Sequence, residues 1–262
     1  MTMTSEGPVS FTGGLDIGGR SVKVALLSHQ GPKSTVLAKA LVQLSGCRDV
    51  RAAIREGWGL VLGDACLSPR EIDYIGSTGA PARSVDRVGH FYGHSSQARG
   101  ARLLFPDATL ALDVGTNEIR CVVSSDSPPQ RRASTSEGLP IQDLYRTLAR
   151  RPEVHVVQLS APFADAPAPQ YIAARSAMLL RSLAAEGKVV LTGGMVHDTE
   201  FVHGLWRQLL ASESGLSLLI SPEAAFAGAY GAAILAARRF ERTVRAIRVW
   251  TPMSMEPDRS MN

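Results

Sequence analysis

Residues 15 to 28, LDIGGRSVKVALLS, and residues 112 to 125, LDVGTNEIRCVVSS, align without a gap. Both copies run Leu-Asp, an aliphatic residue, Gly, three variable positions, an aliphatic residue, a base and then an apolar stretch. A duplication held in register over that span commits the chain to two equivalent structural units. Each copy predicts a strand ending on an Asp, Asp16 or Asp113, then a glycine turn and an antiparallel strand rich in β-branched and aliphatic residues. Taken alone, D-I-G-G fits a plain hairpin equally well; two copies in register argue for a shared task. A glycine turn lets backbone N–H groups approach phosphate oxygens with no Cβ between, and a neighbouring carboxylate can hold a hydrated magnesium ion. Two such turns facing each other would grip a polyphosphate from both sides. A dinucleotide-binding loop is the rival reading of the glycines, but it requires a helix directly after them, and here a strand follows.

The remaining periodicities predict an α/β chain. Strands are expected at 36–44, 72–77, 154–159, 188–192 and 216–220. Helices are expected at 48–62, within 78–105, and at 141–150, 172–185, 198–212 and 222–240. A loop at 125–138 carries Arg131 and Arg132, and 161–169 forms a Pro/Ala linker. The expected division is a flexible N-terminus (1–12), a first lobe (13–107), a second lobe (108–240) and a tail (241–262). Val189 to Gly194 form a strand running into a diglycine at the head of a helix. Adenosine needs a flat surface free of side chains, which Gly193 and Gly194 supply, although a simple strand-to-helix turn uses the same letters. The small residues of Ala227 to Ala233 suit close packing against a strand, or against a nucleotide.

Several function classes drop out. The net charge of +4 and pI near 9.2 are too mild and dispersed for a nucleic-acid footprint. Cys47, Cys66 and Cys121 include no C-x-x-C pair, so neither a disulfide framework nor a zinc site is indicated. Cys121, among the apolar residues of the second repeat, fits a core position. With no leader pattern and no run near the roughly 18 apolar residues that span a bilayer, the expectation is a cytoplasmic protein that is neither exported nor inserted. His90 and His94, four residues apart, would share one helical face and could bind metal; packing or a subunit contact is the alternative.

The duplicated D-[IV]-G turns, the late T-G-G and the closing G-A-x-G-A-A helix resemble the superfamily of sugar kinases, chaperone ATPases and actin. That resemblance implies two related ribonuclease-H-like lobes with a nucleotide cleft between them. Five segments sharpen it: Ser77-Thr78-Gly79, Gly89-His90-Phe91-Tyr92, Gln97-Ala98-Arg99-Gly100-Ala101, Leu112-Asp113-Val114-Gly115, and the closing SPEAAFAGAYGAA. They are similar to the ATPases that drive low-potential electron transfer. These form the BadF/BadG/BcrA/BcrD family of benzoyl-CoA reductase subunits and 2-hydroxyglutaryl-CoA dehydratase activators, and the G-H-F-Y and A-R-G-A spacing follows its D-subunit branch. The likeness covers most of residues 13 to 237, with a shortened middle.

The resemblance implies an ATP-binding, ATP-hydrolysing subunit of an electron-transfer complex of the kind used in anaerobic aromatic degradation, with ATP and Mg2+ as cofactors. Asp16 and Asp113 would be catalytic, Asp16 ordering magnesium through water. Gly18, Gly19 and Lys23 would serve one phosphate turn, Gly115 and Thr116 the other, and Gly193 and Gly194 would face the adenosine. The family also carries a [4Fe-4S] cluster at a dimer interface, held by a cysteine in a C-A-x-G-x-G-x-F loop and a second one further on. Here Ala133 stands at the first ligand position, and 151–170 contains no cysteine, whereas ligation needs thiolates. The expected partners are therefore a cluster-bearing paralogous ATPase subunit and reductase subunits, in a hetero- or homodimer. A non-catalytic or regulatory relative lacking its own cluster is the alternative left open.

Overall fold

The computed structural model describes residues 8–44, 49–79, 89–115, 118–123, 133–135, 156–160, 169–182, 187–211 and 215–250. Their strands form two sheets of one plan. The first holds β1 (Ser10–Ile17), β2 (Ser21–Gln30), β3 (Lys33–Gln43), β4 (Tyr74–Thr78) and β5 (Gly89–His90), ordered β3-β2-β1-β4-β5. The second holds β6 (Leu110–Val114), β7 (Glu118–Val123), β8 (Ala133–Thr135), β9 (Val156–Ser160), β10 (Gly187–Thr192) and β11 (Leu216–Leu219), ordered β11-β10-β6-β7-β9-β8. In each sheet the Asp-bearing strand lies inside, with its hairpin partner antiparallel on one side and a later strand parallel on the other. Asp16 lies opposite Thr78 and Asp113 opposite Thr192, so the duplication seen in the letters extends to strand order and register.

The helices that cover these sheets are α1 (Val50–Ala65), α2 (Gly93–Leu104), α3 (Pro169–Ser182), α4 (Thr199–Leu210) and α5 (Ala227–Trp250). Strand alternation decides which of them each face meets. A Cβ on Gly13 would fall inside the Trp58 indole of α1, and one on Gly14 would fall inside the Ala229 carbonyl of α5. Successive residues of β1 therefore place α1 and α5 on opposite faces of the first sheet. In the second sheet Leu110, Leu112, Val189 and Leu191 share an apolar cluster with Ile172 and Leu180 of α3 and with Phe201 and Leu205 of α4. Ala111 and Val190 point the other way, clustering with Ala101 of α2. Helices α2 and α5 cross where Gly100 meets the Ala227 backbone and Gly231 meets that of Ser96. The layers thus run α1, first sheet, α5, α2, second sheet, then α3 with α4.

Helix starts follow side-chain caps. Asp49 accepts from the Arg51 N–H at 3.1 Å to begin α1, and Asp198 accepts from the Phe201 N–H at 2.8 Å to begin α4. Ser221 and Pro222 open the 3-10 turn Pro222–Phe226 that leads into α5.

Four expectations change. Ala133–Thr135, inside the expected loop 125–138, form β8 through parallel pairing with β9. Strand β1 starts at Ser10 and not at residue 13, because the Phe11 N–H donates to Asp73 Oδ2 at 2.8 Å and Thr12 is buried in a hydrogen-bond network. Helix α5 runs on to Trp250, past its expected end at residue 240. His90 lies in β5 and His94 in the first turn of α2, so they do not share a helical face; the His94 ring stacks on Tyr92 at 5.4 Å. Among the described residues no group of three His, Cys, Asp or Glu is placed to hold a metal ion, and no helix is long and apolar enough to cross a membrane. Thr116, Cys47, Arg131, Arg132, the expected helix 141–150 and the tail after Trp250 lie outside the described residues.

The buried network ties α5 to three strands. Thr12 Oγ1 donates to the Ala233 carbonyl at 2.8 Å and so accepts from His29 Nε2 at 2.7 Å, which leaves His29 Nδ1 to accept from the Ser34 hydroxyl at 2.9 Å. Burial holds the His29 imidazole below its usual value, against the pull of Glu241 and Asp73. A lowered folded value means that the neutral ring contributes stability above the unfolded pKa of about 6.5, and that this is lost as pH falls through the folded value. The resistance of the wild type to urea is expected to fall as the pH drops below about 6.5, and His29→Gln is expected to flatten that dependence. Gly14→Ala, which sets a methyl against the α5 backbone, is expected to cost on the order of 3 kcal/mol in the same assay.

Candidate functional site

The Asp ends of β1 and β6 face a cleft of about 510 Å³ between the two sheets. Antiparallel pairing sets Lys23 directly across from Asp16 and Arg120 directly across from Asp113. Lys23 Nζ lies 3.6 Å from Asp16 Oδ2, and Arg120 Nη1 lies 3.6 Å from Asp113 Oδ2. Both carboxylates are buried, at 9% and 6% exposed, so the bases provide the compensating charge that burial demands. Asp16 is backed by α5: a Cβ on Gly228 would come within 2.5 Å of its Oδ2. The β1–β2 turn is closed by the Gly18 N–H donating to the Ser21 carbonyl at 3.0 Å.

A second matched feature frames each Asp. Beyond β4 the chain turns at Gly79 (φ +96), where a Cβ would fall inside the Ile17 carbonyl; beyond β10 it turns at Gly193 (φ +86), where a Cβ would stand 2.5 Å from the Val114 carbonyl oxygen. Ile17 and Val114 each follow the Asp, so a Thr-Gly turn folds over the same atom in both halves. Both glycines occupy left-handed backbone that other residues rarely adopt. A Cβ on Gly193 would also stand 2.6 Å from Asp113 Oδ1, so its absence keeps that oxygen open to the cleft.

Burial pushes the Asp113 carboxyl above the usual carboxylate range; Arg120 opposes this, the Asp16 charge across the cleft adds to it, and Lys23 opposes it. Thr78 Oγ1 and Gln97 Oε1 also line the cleft, at 1% and 5% residue exposure, and neither atom has a hydrogen-bond partner among the described residues. Buried polar atoms in native proteins are paired with protein, water or ligand, so these two point to something polar in the cleft.

The structure brings Asp16, Gly18, Gly19, Lys23, Asp113, Gly115, Gly193 and Gly194 to this one cleft. Sequence reasoning did not select Arg120, Gly79, Thr78, Gln97 or Gly228. Arg120 was visible as the repeat's second base, and Gly79 as the partner of Gly193 once S-T-G and L-T-G are set side by side. Gln97 and Gly228 lie in segments that the sequence marks, Gln97–Ala101 and the small-residue run Ala227–Ala233, but their meeting at Asp16 depends on how the two helices cross in the tertiary fold.

Two sheets of one plan, meeting at paired Asp turns, have the actin and sugar-kinase type of fold. No protein-family model matches the chain. In sequence it is similar to the D subunit of benzoyl-CoA reductase from Thauera aromatica, 29% identical over 275 residues that cover 90% of this chain and 96% of that protein. Among solved structures it shares its fold with component A of the Acidaminococcus fermentans (R)-2-hydroxyglutaryl-CoA dehydratase (TM-score 0.62, 18% identity, 88% of this chain and 99% of that one). It shares it equally with the activator of the Clostridium difficile 2-hydroxyisocaproyl-CoA dehydratase, solved with bound ADPNP (TM-score 0.63, 16% identity, 94% and 100%).

The two described thiols, Cys66 and Cys121, do not suit an iron–sulfur cluster. Ala133 opens β8 in place of the expected ligand. The Cys121 thiol is buried and pushed up to about 12, while Cys66 is exposed at the end of α1, away from the cleft lining. Thiolates are what such clusters need.

The Gly193 geometry gives a paired test. Gly193→Ala combines left-handed strain with a methyl against Asp113 and is expected to lower stability by about 2–4 kcal/mol. At Gly194 a Cβ would meet nothing within 4 Å, so Gly194→Ala is expected to stay within about 0.5 kcal/mol of wild type by chemical denaturation.

Proposed function

We propose that this chain binds Mg2+-ATP between two lobes, residues 13–107 and 108–240, with α5 returning to pack on the first. ATP hydrolysis there would serve low-potential electron transfer in a cytoplasmic benzoyl-CoA reductase-type or dehydratase-type system. The observation that carries this reading is the pair of buried carboxylates, each with its own base and glycine turn, facing one cleft. The similarity to a benzoyl-CoA reductase component and the ADPNP-bound activator of the same fold support it.

Asp16 suits a hydrated magnesium ion, which when bound neutralises phosphate charge. Gly18, Gly19, Gly115 and Thr116 offer backbone N–H groups to the phosphates, Lys23 and Arg120 supply positive charge, and Gly193 and Gly194 leave room for the adenosine. Asp113, with its raised carboxyl, takes a proton from the attacking water while the water oxygen bonds to the terminal phosphorus and the bond to ADP breaks. Gln97 Oε1 and Thr78 Oγ1 are placed to order that water or the phosphate oxygens. Since Ala133 replaces the expected ligand and the described thiols do not suit a cluster, the electron carrier belongs to a paralogous ATPase subunit that pairs with this one beside the reductase subunits.

Calorimetric titration with ATP is expected to show magnesium-dependent binding. Asp113→Asn is expected to retain binding while hydrolysis drops on the order of 100-fold or more, and Asp16→Asn to lose the magnesium dependence. Wild-type hydrolysis should fall on the acid side at a higher pH than an ordinary carboxylate near 3.9 would give. Absence of ATP binding would overturn the proposal. Binding without turnover in wild type would favour the non-catalytic alternative, which the loss of the family's cluster cysteine at Ala133 supports.

A further inference from the structure

The charges around the cleft cancel in pairs, Asp16 with Lys23 and Asp113 with Arg120. Arg20 is left over. It lines the same cleft with an exposed side chain, and among the described residues its guanidinium has no hydrogen-bond or ion-pair partner. Its backbone, in contrast, is pinned: the Leu44 N–H donates to the Arg20 carbonyl at 2.7 Å, and the Gly18 to Ser21 hydrogen bond closes the turn around it. The guanidinium therefore projects from a fixed backbone beside Gly18 and Gly19. At the matching place in the second repeat the sequence has Asn117, so the first repeat alone supplies a third positive charge.

We propose that Arg20 makes this cleft prefer a nucleoside triphosphate over a diphosphate by pairing with the terminal phosphate. This rests on the ATP-binding reading above and goes further, assigning the discrimination to one side chain. Lys23 and Arg120 each reach the phosphates with a carboxylate beside them, whereas the uncompensated Arg20 cation favours the ligand that carries the additional phosphate charge. A guanidinium also offers a planar fork that matches two phosphate oxygens at once, and its exposure lets it close over the phosphates after the nucleotide has entered. His197, the other ionisable group on the cleft wall, follows Gly193 and Gly194 in the chain, on the expected adenosine side.

The test compares wild type, Arg20→Lys and Arg20→Ala by calorimetry with ADP and with a non-hydrolysable ATP analogue, both with magnesium. Arg20→Ala is expected to weaken the triphosphate by roughly 10- to 100-fold, as loss of a charge-assisted contact implies. The diphosphate should weaken by no more than about threefold, the range of a screened surface charge. Arg20→Lys should fall between, because a point charge keeps the attraction and loses the fork. Thermal melting of the free variants should match wild type, since the side chain is exposed. Equal losses for both nucleotides, or no loss for either, would overturn the inference while leaving ATP binding intact. A wild type that binds neither nucleotide would remove the ATP reading and this inference together.

Discussion

Helix α5 meets backbone on two sides, and the rest of the fold is arranged around that contact. Gly14 and Gly76 let the helix lie directly on β1 and β4, and Gly100 and Gly231 let α2 press against it from the other direction. No side chain separates these elements at the crossing points. Van der Waals contact there runs between main-chain atoms, so the elements' spacing is set by backbone packing with no side chain to adjust it. Gly228 lies on this helix against Asp16, and Gln97 comes from α2 to the same spot, 3.1 Å from where a Gly228 Cβ would stand. The location of the first carboxylate is thus a consequence of how two helices cross.

The second constraint is electrostatic. Neither carboxylate is reached by enough water to be left alone, and each is matched by a base on the neighbouring strand of its own hairpin. The two halves are still not independent. The charge on Asp16 raises the Asp113 carboxyl, and Lys23 lowers it, although both belong to the other sheet. An arrangement in which two buried acids sense each other across a gap is relieved by a cation placed between them and polarised by an anion bridging their bases. The proposed nucleotide site thus rests on the charges of the cleft as well as on the likeness to other proteins.

Much of this was legible in the sequence because the informative features are local. A gapless repeat fixes strand, turn and strand, and pairing at a hairpin then dictates that the base seven places after each Asp lies across from it. The diglycine at 193 and 194 announced a turn, and the positive φ at Gly193 is what requires glycine there. What stayed hidden depends on distant segments meeting. The placement of His90 in a strand and His94 in a helix could not be told from their spacing, since β5 exists only through pairing with β4. The buried Thr12 and His29 network likewise depends on a carbonyl 221 residues further along the chain.

That last separation carries a consequence for how the molecule is made. The face of the first sheet that carries Gly14 and Gly76 is covered by a helix drawn from the end of the described chain. During synthesis the N-terminal strands leave the ribosome with that face bare and with the Thr12 hydroxyl lacking its carbonyl partner. The sheet that bears the first Asp is completed only after the second has been translated, so the N-terminal half waits for the C-terminal helix before either half of the cleft is in its final form.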